Sequence, residues 1–162
     1  MGKTKIIAIV GRSGSGKSTI ADMLQKKGIP PVVSYTTRPK RDKYDVHHKF
    51  VSDNEYDNIF DKLAETVYAG YRYCGKLEGH HDCYSYVIDE VGLKMIKDNN
   101  KLDVYSVLVL SPQEDRQKRT TKERFNRDKD YEYKLNYDHV ILNLYGLDEL
   151  EYQVDCLLKL IR

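Results

Sequence analysis

Short apolar runs and amphipathic stretches alternate along the whole chain. Residues 5–10 form a β-branched run that ends at Gly11, and residues 104–110 form the most apolar segment. Runs of this kind are typical of strands that are buried on both faces of a parallel sheet. Shorter runs over residues 84–88 and 140–142 predict two more strands of the same sheet.

Apolar residues at helical spacing follow three of these runs. The spacing predicts helices over residues 18–27, 91–97 and 147–161, and glycine, proline or asparagine residues stop the first two. Because strands alternate with helices from end to end, we expect an α/β fold with a mostly parallel sheet and helices on both faces.

A capping box marks one further helix. Ser52 and Glu55 stand three residues apart, which is the spacing at which the two side chains cap a helix start. We expect this helix to continue through Leu63, with Ile59 and Phe60 beside Leu63 on its buried side.

A second start signal follows the most apolar strand. Ser111, Pro112 and Glu114 place an N-cap, a helix-initial proline and a capping-box glutamate in register. The pattern therefore predicts a helix directly after that strand. Residues 36–49 lack apolar periodicity and are predicted to form a long loop, and residues 66–74 are predicted to form short strands.

The composition narrows the class of protein. The chain has 162 residues, of which 32% are charged and 40% hydrophobic, and no apolar run approaches the ~18 residues of a membrane span. These values exclude a disordered chain and predict one globular domain without a membrane segment. Three scattered cysteines and an N-terminus without an apolar signal core lead us to expect a cytoplasmic protein.

Basic residues are concentrated in two segments, although the formal net charge is only +2. Residues 34–43 carry a local balance of +3, and residues 116–129 carry a balance of +5. A nearly neutral chain argues against a protein that coats a nucleic acid polymer, whereas two local clusters suit small phosphate-bearing ligands.

A phosphate-loop motif lies between the first predicted strand and helix. Residues 11–18 read Gly-Arg-Ser-Gly-Ser-Gly-Lys-Ser and match G-x-x-x-x-G-K-[ST], whose glycines let backbone N–H groups approach phosphate oxygens. A dinucleotide fingerprint is excluded because a threonine stands where its third glycine is required. The predicted nucleotide-binding residues are Gly11, Ser13, Gly14, Ser15, Gly16, Lys17, Ser18 and Thr19.

Lys17 and Ser18 give this loop its predicted chemistry. We expect Lys17 to bridge the β- and γ-phosphates of ATP and the Ser18 hydroxyl to bind Mg²⁺. Motors, GTPases and small kinases share such a loop, so the substrate depends on the rest of the chain. A small kinase needs a second, basic phosphate site.

Residues 34–41 supply a candidate for that second site. They read Ser-Tyr-Thr-Thr-Arg-Pro-Lys-Arg, with two arginines three residues apart. The segment resembles the Ser-x-Thr-Thr-Arg-x-x-Arg stretch of the guanylate kinase family. Residues 50–52 (Phe-Val-Ser) and 138–143 (Asp-His-Val-Ile-Leu-Asn) are also similar to that family, so the resemblance spans about residues 5–161.

The resemblance implies a three-layer P-loop NTPase fold and a reaction. The implied reaction is transfer of the γ-phosphoryl group of ATP, with Mg²⁺, to GMP, dGMP or a related nucleoside monophosphate. Within a single domain of residues 1–162 it implies a core (about 1–33, 84–115 and 136–162), a nucleoside-monophosphate-binding region (about 34–83) and an arginine-rich lid (about 116–130).

The resemblance also implies an acceptor site. Its residues are Ser34, Thr37, Arg38, Arg41, His48, Glu65, Tyr73 and Asp89. Arg38 and Arg41 would bind the acceptor phosphate, and Ser34 and Glu65 would read the base. Two departures leave the identity of the base open: a histidine replaces a tyrosine at position 48, and the stretch after Glu65 differs from the family pattern. Asp89 would bind Mg²⁺ or the acceptor, and it also suits a helix N-cap.

The lid would carry arginines that close over the transferred phosphoryl group. An arginine so placed offsets the charge that develops in the transition state. With Lys17, the predicted catalytic residues are Arg116, Arg119, Arg124 and Arg127, of which Arg124 is the leading candidate. A solvated basic helix face would have the same spacing, so that interpretation stays open.

Three other interpretations stay open. The chain could phosphorylate a different nucleoside monophosphate or another small acceptor, or it could be a non-catalytic binding module of the guanylate kinase type. In addition, Cys74, His80, His81 and Cys83 lie within ten residues and could bind Zn²⁺, although their spacing fits no familiar motif.

Overall fold

The computed structural model describes residues 2–161 of the chain. Six helices and eight strands lie along them in this order: β1 (Thr4–Gly11), α1 (Lys17–Lys26), β2 (Val33–Thr36), β3 (Lys49–Phe50), α2 (Asp53–Asp57), β4 (Leu63–Tyr68), β5 (Tyr71–Lys76), β6 (Cys83–Val87), α3 (Glu90–Lys97), β7 (Leu102–Leu110), α4 (Gln113–Arg119), α5 (Lys122–Asp128), β8 (His139–Leu142) and α6 (Leu147–Ile161). Across this part of the chain, every helix is too short or too polar to cross a membrane.

The central sheet has the strand order β6-β1-β7-β8, and all of its neighbouring pairs are parallel. The predicted parallel sheet is therefore confirmed. β1 is an inner strand, with Ile6 opposite Tyr84 on one side and opposite Val104 on the other.

Both faces of this sheet are covered, which explains the unbroken apolar runs. Ile7 and Ile9 of β1 pack in a cluster with residues of α1 and α6, whereas Ile6 and Ala8 pack in a second cluster with Leu93 and its neighbours of α3. Helices on both sides of a parallel sheet form the three layers of the predicted P-loop NTPase fold.

A second sheet of four strands, in the order β3-β2-β5-β4, lies beside the first. Only its β2–β3 pair is parallel. The backbone before β2 connects the two sheets, because the Val32 N–H donates to the Ser85 carbonyl at 2.7 Å and the Ser85 N–H donates to the Pro30 carbonyl at 3.0 Å. The second sheet therefore starts from the β6 edge of the central sheet.

The prediction for α2 is right at its start and wrong at its end. Ser52 and Glu55 form the capping box, but the helix stops at Asp57 and does not reach Leu63. Left-handed backbone at Asp61 (φ 54°) and Ala64 (φ 48°) breaks the helical path. Leu63 is buried at the start of β4 instead, and Phe60 is 79% exposed.

The predicted capping box at the start of α4 is wrong as well. The helix begins at Gln113, its N-cap is Pro112, and no side chain caps it. Ser111 has other partners: its carbonyl accepts from Nε of Arg116 at 3.1 Å, and its hydroxyl accepts from Nη1 of Arg119 at 3.1 Å. The serine that the pattern assigned to the helix start therefore accepts hydrogen bonds from arginines of α4.

A side chain of α6 contacts the outer edge of β8. Nε2 of Gln153 donates to the Leu142 carbonyl at 2.7 Å, and Oε1 of Gln153 accepts from the Leu142 N–H at 3.1 Å. The amide therefore takes the place that a neighbouring strand would take beside the end of β8.

Candidate active site

The loop between β1 and α1 lies at the carboxyl end of the central sheet. Gly14 (φ 79°) and Gly16 (φ 108°) have left-handed backbone, which favours glycine. A Cβ atom on Gly14 would lie 2.6 Å from the carbonyl oxygen of Arg116, and one on Gly16 would lie 2.5 Å from Nδ2 of Asn143. Both glycines are therefore required by conformation and by space.

Lys17 folds back over this loop. Its ammonium donates to the carbonyls of Gly11 at 2.5 Å and Arg12 at 3.0 Å, and burial lowers its pKa to about 8. Asn143, which follows β8, donates from Nδ2 to the Ser15 carbonyl at 2.9 Å and fixes the loop from below. Ser15 is itself buried, and its hydroxyl has no hydrogen-bond partner within residues 2–161.

Oxygen ligands suited to Mg²⁺ lie at the same edge of the sheet. Ser18 is exposed in the first turn of α1, and Asp89 follows β6, the strand beside β1. Oδ1 of Asp89 accepts from the Gly92 N–H at 2.8 Å, so the aspartate is the N-cap of α3. A hydroxyl and a carboxylate are donors that Mg²⁺ prefers, so the chemistry of these two side chains suits that ion.

Helices α4 and α5 lie against the phosphate loop. Nη1 of Arg119 donates to the Gly14 carbonyl at 3.3 Å, and Nη2 of Arg127 donates to the Ser13 hydroxyl at 3.3 Å. The structure thus brings these two predicted arginines to the loop.

The other two predicted lid arginines differ from this pair. Arg116 is buried, its guanidinium lies 5.5 Å from the ring of Phe125, and its Nη1 atom has no partner in the described part of the chain. Arg124 is exposed in the first turns of α5, close enough for its charge to act on Lys17.

Sequence reasoning missed Asp128, the last residue of α5. Its Oδ2 atom accepts from the Ser13 N–H at 2.9 Å and from the Ser13 hydroxyl at 2.8 Å. Nε of Arg12 donates to the Asp128 carbonyl at 3.2 Å. The only signal in the sequence is an acidic residue within a basic segment, because 115 positions separate the two partners.

A buried carboxylate fixes the chain that follows α5. Glu90 of α3 accepts four hydrogen bonds of 2.6–2.9 Å, from the hydroxyls of Tyr131 and Tyr137 and from the N–H groups of Lys134 and Leu135. Burial would raise the pKa of Glu90, but these bonds outweigh it and lower the pKa to about 2. The segment that follows α5 is therefore tied to α3.

The predicted acceptor arginines lie at the end of β2. Nη1 and Nη2 of Arg38 donate to the two carboxylate oxygens of Asp45, at 2.7 and 3.4 Å, and the Arg41 N–H donates to the same carboxylate at 3.0 Å. The hydrogen bond from Arg38, and then the one from Arg41, holds the pKa of Asp45 well below its usual range. The side chain of Arg41 is exposed.

His48 and Tyr73 lie beside Arg38. The His48 ring meets Tyr73 edge-on at 5.9 Å between ring centroids and Phe50 at 6.2 Å, and the guanidinium of Arg38 lies 5.2 Å from the Phe50 ring. Burial, together with the charge of Arg38, lowers the pKa of His48. The structure thus gathers these predicted residues into one aromatic, basic cluster.

Three further predicted acceptor residues lie on the second sheet. Ser34 is half-buried on β2, and the Thr37 hydroxyl accepts from the Arg72 N–H at 2.9 Å. Glu65 is exposed on β4, in the stretch where the pairing of β4 with β5 shifts register. Glu65 therefore lies in an edge strand of the second sheet and is accessible to solvent.

The cysteine and histidine cluster does not gather into a metal site. Cys74 is buried on β5 and Cys83 begins β6, while His80 and His81 are exposed in between. Within residues 2–161, no group of three or more His, Cys, Asp or Glu side chains could hold a metal ion.

The chain has a glycine loop between a buried parallel strand and a helix, a lysine that folds over this loop, and arginines of α4 and α5 that contact it. Together with the three-layer core, these features define a P-loop protein of the kinase type. A protein-family model described as AAA domain matches residues 7–138, and the chain belongs to that family. The resemblance to guanylate kinase is confirmed at the level of the fold by a crystal structure of guanylate kinase from Anaplasma phagocytophilum. That structure has a TM-score of 0.61 and 22% identity, over 99% of this chain and 86% of the other.

A second solved structure gives the same fold. TT1252 from Thermus thermophilus is similar with a TM-score of 0.54 and 17% identity, over 99% of both chains. The search of curated proteins finds no match to this sequence.

Proposed function

We propose that this protein is a nucleoside monophosphate kinase that transfers the γ-phosphoryl group of ATP to GMP, dGMP or a related nucleotide. The observation that carries the proposal is the pair of basic sites: the phosphate loop with Lys17 and its arginines, and the Arg38–Arg41 segment on the second sheet. A nucleotide kinase needs one phosphate site for the donor and another for the acceptor.

The donor would bind along the phosphate loop. Backbone N–H groups from Gly14 to Thr19 would bind the phosphates at the start of α1, where the helix dipole favours anions. Ser18 and Asp89 would hold Mg²⁺, which offsets the charge of the β- and γ-phosphates when it is bound. The lid residues 116–130 would close over the γ-phosphoryl group and exclude water.

The acceptor would bind at the second sheet. Arg38, Arg41 and Tyr73 would hold its phosphate, with His48 beside them, while Ser34 and Glu65 would read the base. An oxygen of the acceptor phosphate attacks the γ-phosphorus as the bond to the β-phosphate oxygen breaks, so ADP leaves. No general base is needed because that phosphate is already ionised at neutral pH, and positioning carries the catalysis.

An assay of ADP release against a panel of ribo- and deoxynucleoside monophosphates tests the proposal. We expect one acceptor to raise turnover well above the ATP-only rate. Lys17→Ala should lower that turnover by at least ~10²-fold, since it removes a charge that neutralises the transferred phosphoryl group. Lys94→Ala, an exposed lysine of α3, is the matched control.

The outcomes separate the parts of the proposal. If no acceptor raises turnover and Lys17→Ala binds ATP like the wild type, the kinase proposal is wrong. If GMP and dGMP fail and another monophosphate works, only the choice of base is wrong. Tight binding of a monophosphate without turnover would point to the binding module instead.

A further inference from the structure

Asp128 connects the lid to the phosphate loop through both its side chain and its backbone. The carboxylate accepts from the N–H and the hydroxyl of Ser13, which is buried inside the loop. The carbonyl of Asp128 and that of Tyr131 accept from the guanidinium of Arg12. Two successive residues of the loop therefore hold one residue of the lid.

This carboxylate lies among positive charges. Arg127 approaches it at 3.8 Å, and four charged side chains act on the Lys17 ammonium: Asp128, Arg116, Arg124 and Arg127. Asp128 is the acidic member of that set. The positive charges of Lys17 and the arginines repel one another when no phosphate is bound. The Asp128 carboxylate offsets this repulsion and so favours contact between the lid and the loop before any phosphate binds.

We propose that Asp128 is a positioning residue that docks α5 onto the phosphate loop and so sets Arg124 and Arg127 over the site of phosphoryl transfer. The role of those arginines rests on the proposed function, whereas the docking of α5 does not. The contact lies on the loop residue before Gly14, so docking leaves the N–H groups from Gly14 onward to the phosphates.

The contacts around Asp128 hold α5 against the phosphate loop in a defined orientation. Ser13 offers two donors to a single carboxylate oxygen, and Arg127 donates to the same hydroxyl, so the three groups form one network. The Glu90 contacts fix the chain three to nine residues further on. The end of α5 is thus held from the loop and from α3.

Asp128→Asn tests the proposal, because the amide keeps the size of the side chain and loses its charge. Asp130→Asn, an exposed aspartate of the same segment, is the matched control. The variant loses a charge-assisted hydrogen bond. We therefore expect kcat to fall about 10-fold, while KM for the acceptor changes less than about 3-fold. The kcat of Asp128→Glu, which keeps the charge, should lie between those of Asp128→Asn and the wild type.

A second measurement does not depend on activity. In the ligand-free protein, the amides of Phe125 in α5 and of Lys129, the C-cap of α5, should exchange hydrogen about 10-fold faster in Asp128→Asn than in the wild type or Asp130→Asn. Equal exchange in all three proteins would overturn the proposal, as would unchanged kcat despite faster exchange. If the wild type transfers no phosphate, the proposed function fails, and the exchange result alone decides whether Asp128 docks the lid.

Discussion

The proposed acceptor site depends on Arg38, whose guanidinium already donates hydrogen bonds to a carboxylate. Asp45 occupies both Nη donors in the forked geometry that a phosphate monoester would also use. The side chains of Arg38 and Asp45 are only 10% and 14% exposed, so solvent screens the pair weakly. An acceptor phosphate would therefore have to exchange with Asp45 or share the guanidinium with it.

Asp45→Asn is expected to lower KM for the acceptor by about 3- to 10-fold, because the competing negative charge is removed from the Arg38 donors. Asp42→Asn is the control, since the Asp42 carboxylate accepts from the Tyr44 N–H and not from an arginine. Steady-state kinetics with the acceptor varied at saturating ATP measures the effect. A higher KM in Asp45→Asn alone would show instead that the carboxylate orients Arg38 for the phosphate.

Single residues also mark the limit of prediction from the sequence. The phosphate loop was predictable because its chemistry depends on one continuous motif of eight residues. The contacts of Asp45, Asp128 and Glu90 were not, because the partners of the last two are more than 40 positions away and acidic side chains follow no periodicity. Their roles depend on the fold and not on the pattern.

At the scale of elements, α3 and the segment after α5 form one unit through Glu90. The folded pKa of Glu90 is about 2, below its ordinary value of 4.5. A carboxyl group with a lowered pKa contributes stability that is fully present above pH 4.5 and is lost as the pH falls towards 2.

Glu90→Gln should therefore destabilise the protein by about 3 kcal/mol at pH 7, since the shift in pKa is worth that order of free energy. The difference in free energy of unfolding between wild type and variant should shrink between pH 4.5 and 2. Urea unfolding in metal-free buffer at pH 7 and at pH 3 measures it, with Glu132→Gln, an exposed residue of the same segment, as control. A difference that stays constant with pH would contradict the assignment of the shift to Glu90.

The sequence predicts helices and strands well where burial is uniform along the element. It predicts them poorly where left-handed residues determine the path of the backbone. The strands of the central sheet and α6 follow directly from their apolar runs. The helical spacing of Ile59, Phe60 and Leu63 predicts a longer α2. The backbone is instead left-handed at Asp61, before β4, and at Ala64, inside β4. The spacing of apolar residues along a sequence does not reveal that an alanine has left-handed backbone.

At the scale of the whole molecule, the two proposed phosphate sites lie on different sheets of one chain. Ligand that binds only the folded state raises the free energy of unfolding by mass action. The proposed donor site joins β1, α1, α4 and α5, so its occupation should stabilise the central sheet and the proposed lid together.

ATP with Mg²⁺ at about 100 times its Kd should raise Tm by about 5–10 °C, which corresponds to about 2.7 kcal/mol for a chain of this size. Lys17→Ala should show a much smaller shift at the same ATP concentration, and Lys94→Ala should keep the full one. Differential scanning fluorimetry measures both. An equal shift in Lys17→Ala would place the ATP away from the phosphate loop.

Gln153 has a consequence for how copies of this protein meet. The edge of a parallel sheet can be extended by any chain that finds its N–H and C=O groups open, and such extension leads to intermolecular sheets and aggregates. At the end of β8 the Leu142 groups are already satisfied by the Gln153 amide, and Gln153 is held there by the packing of α6 on the core. A second chain could add a strand at this end only by first lifting α6, which would expose apolar residues of the core.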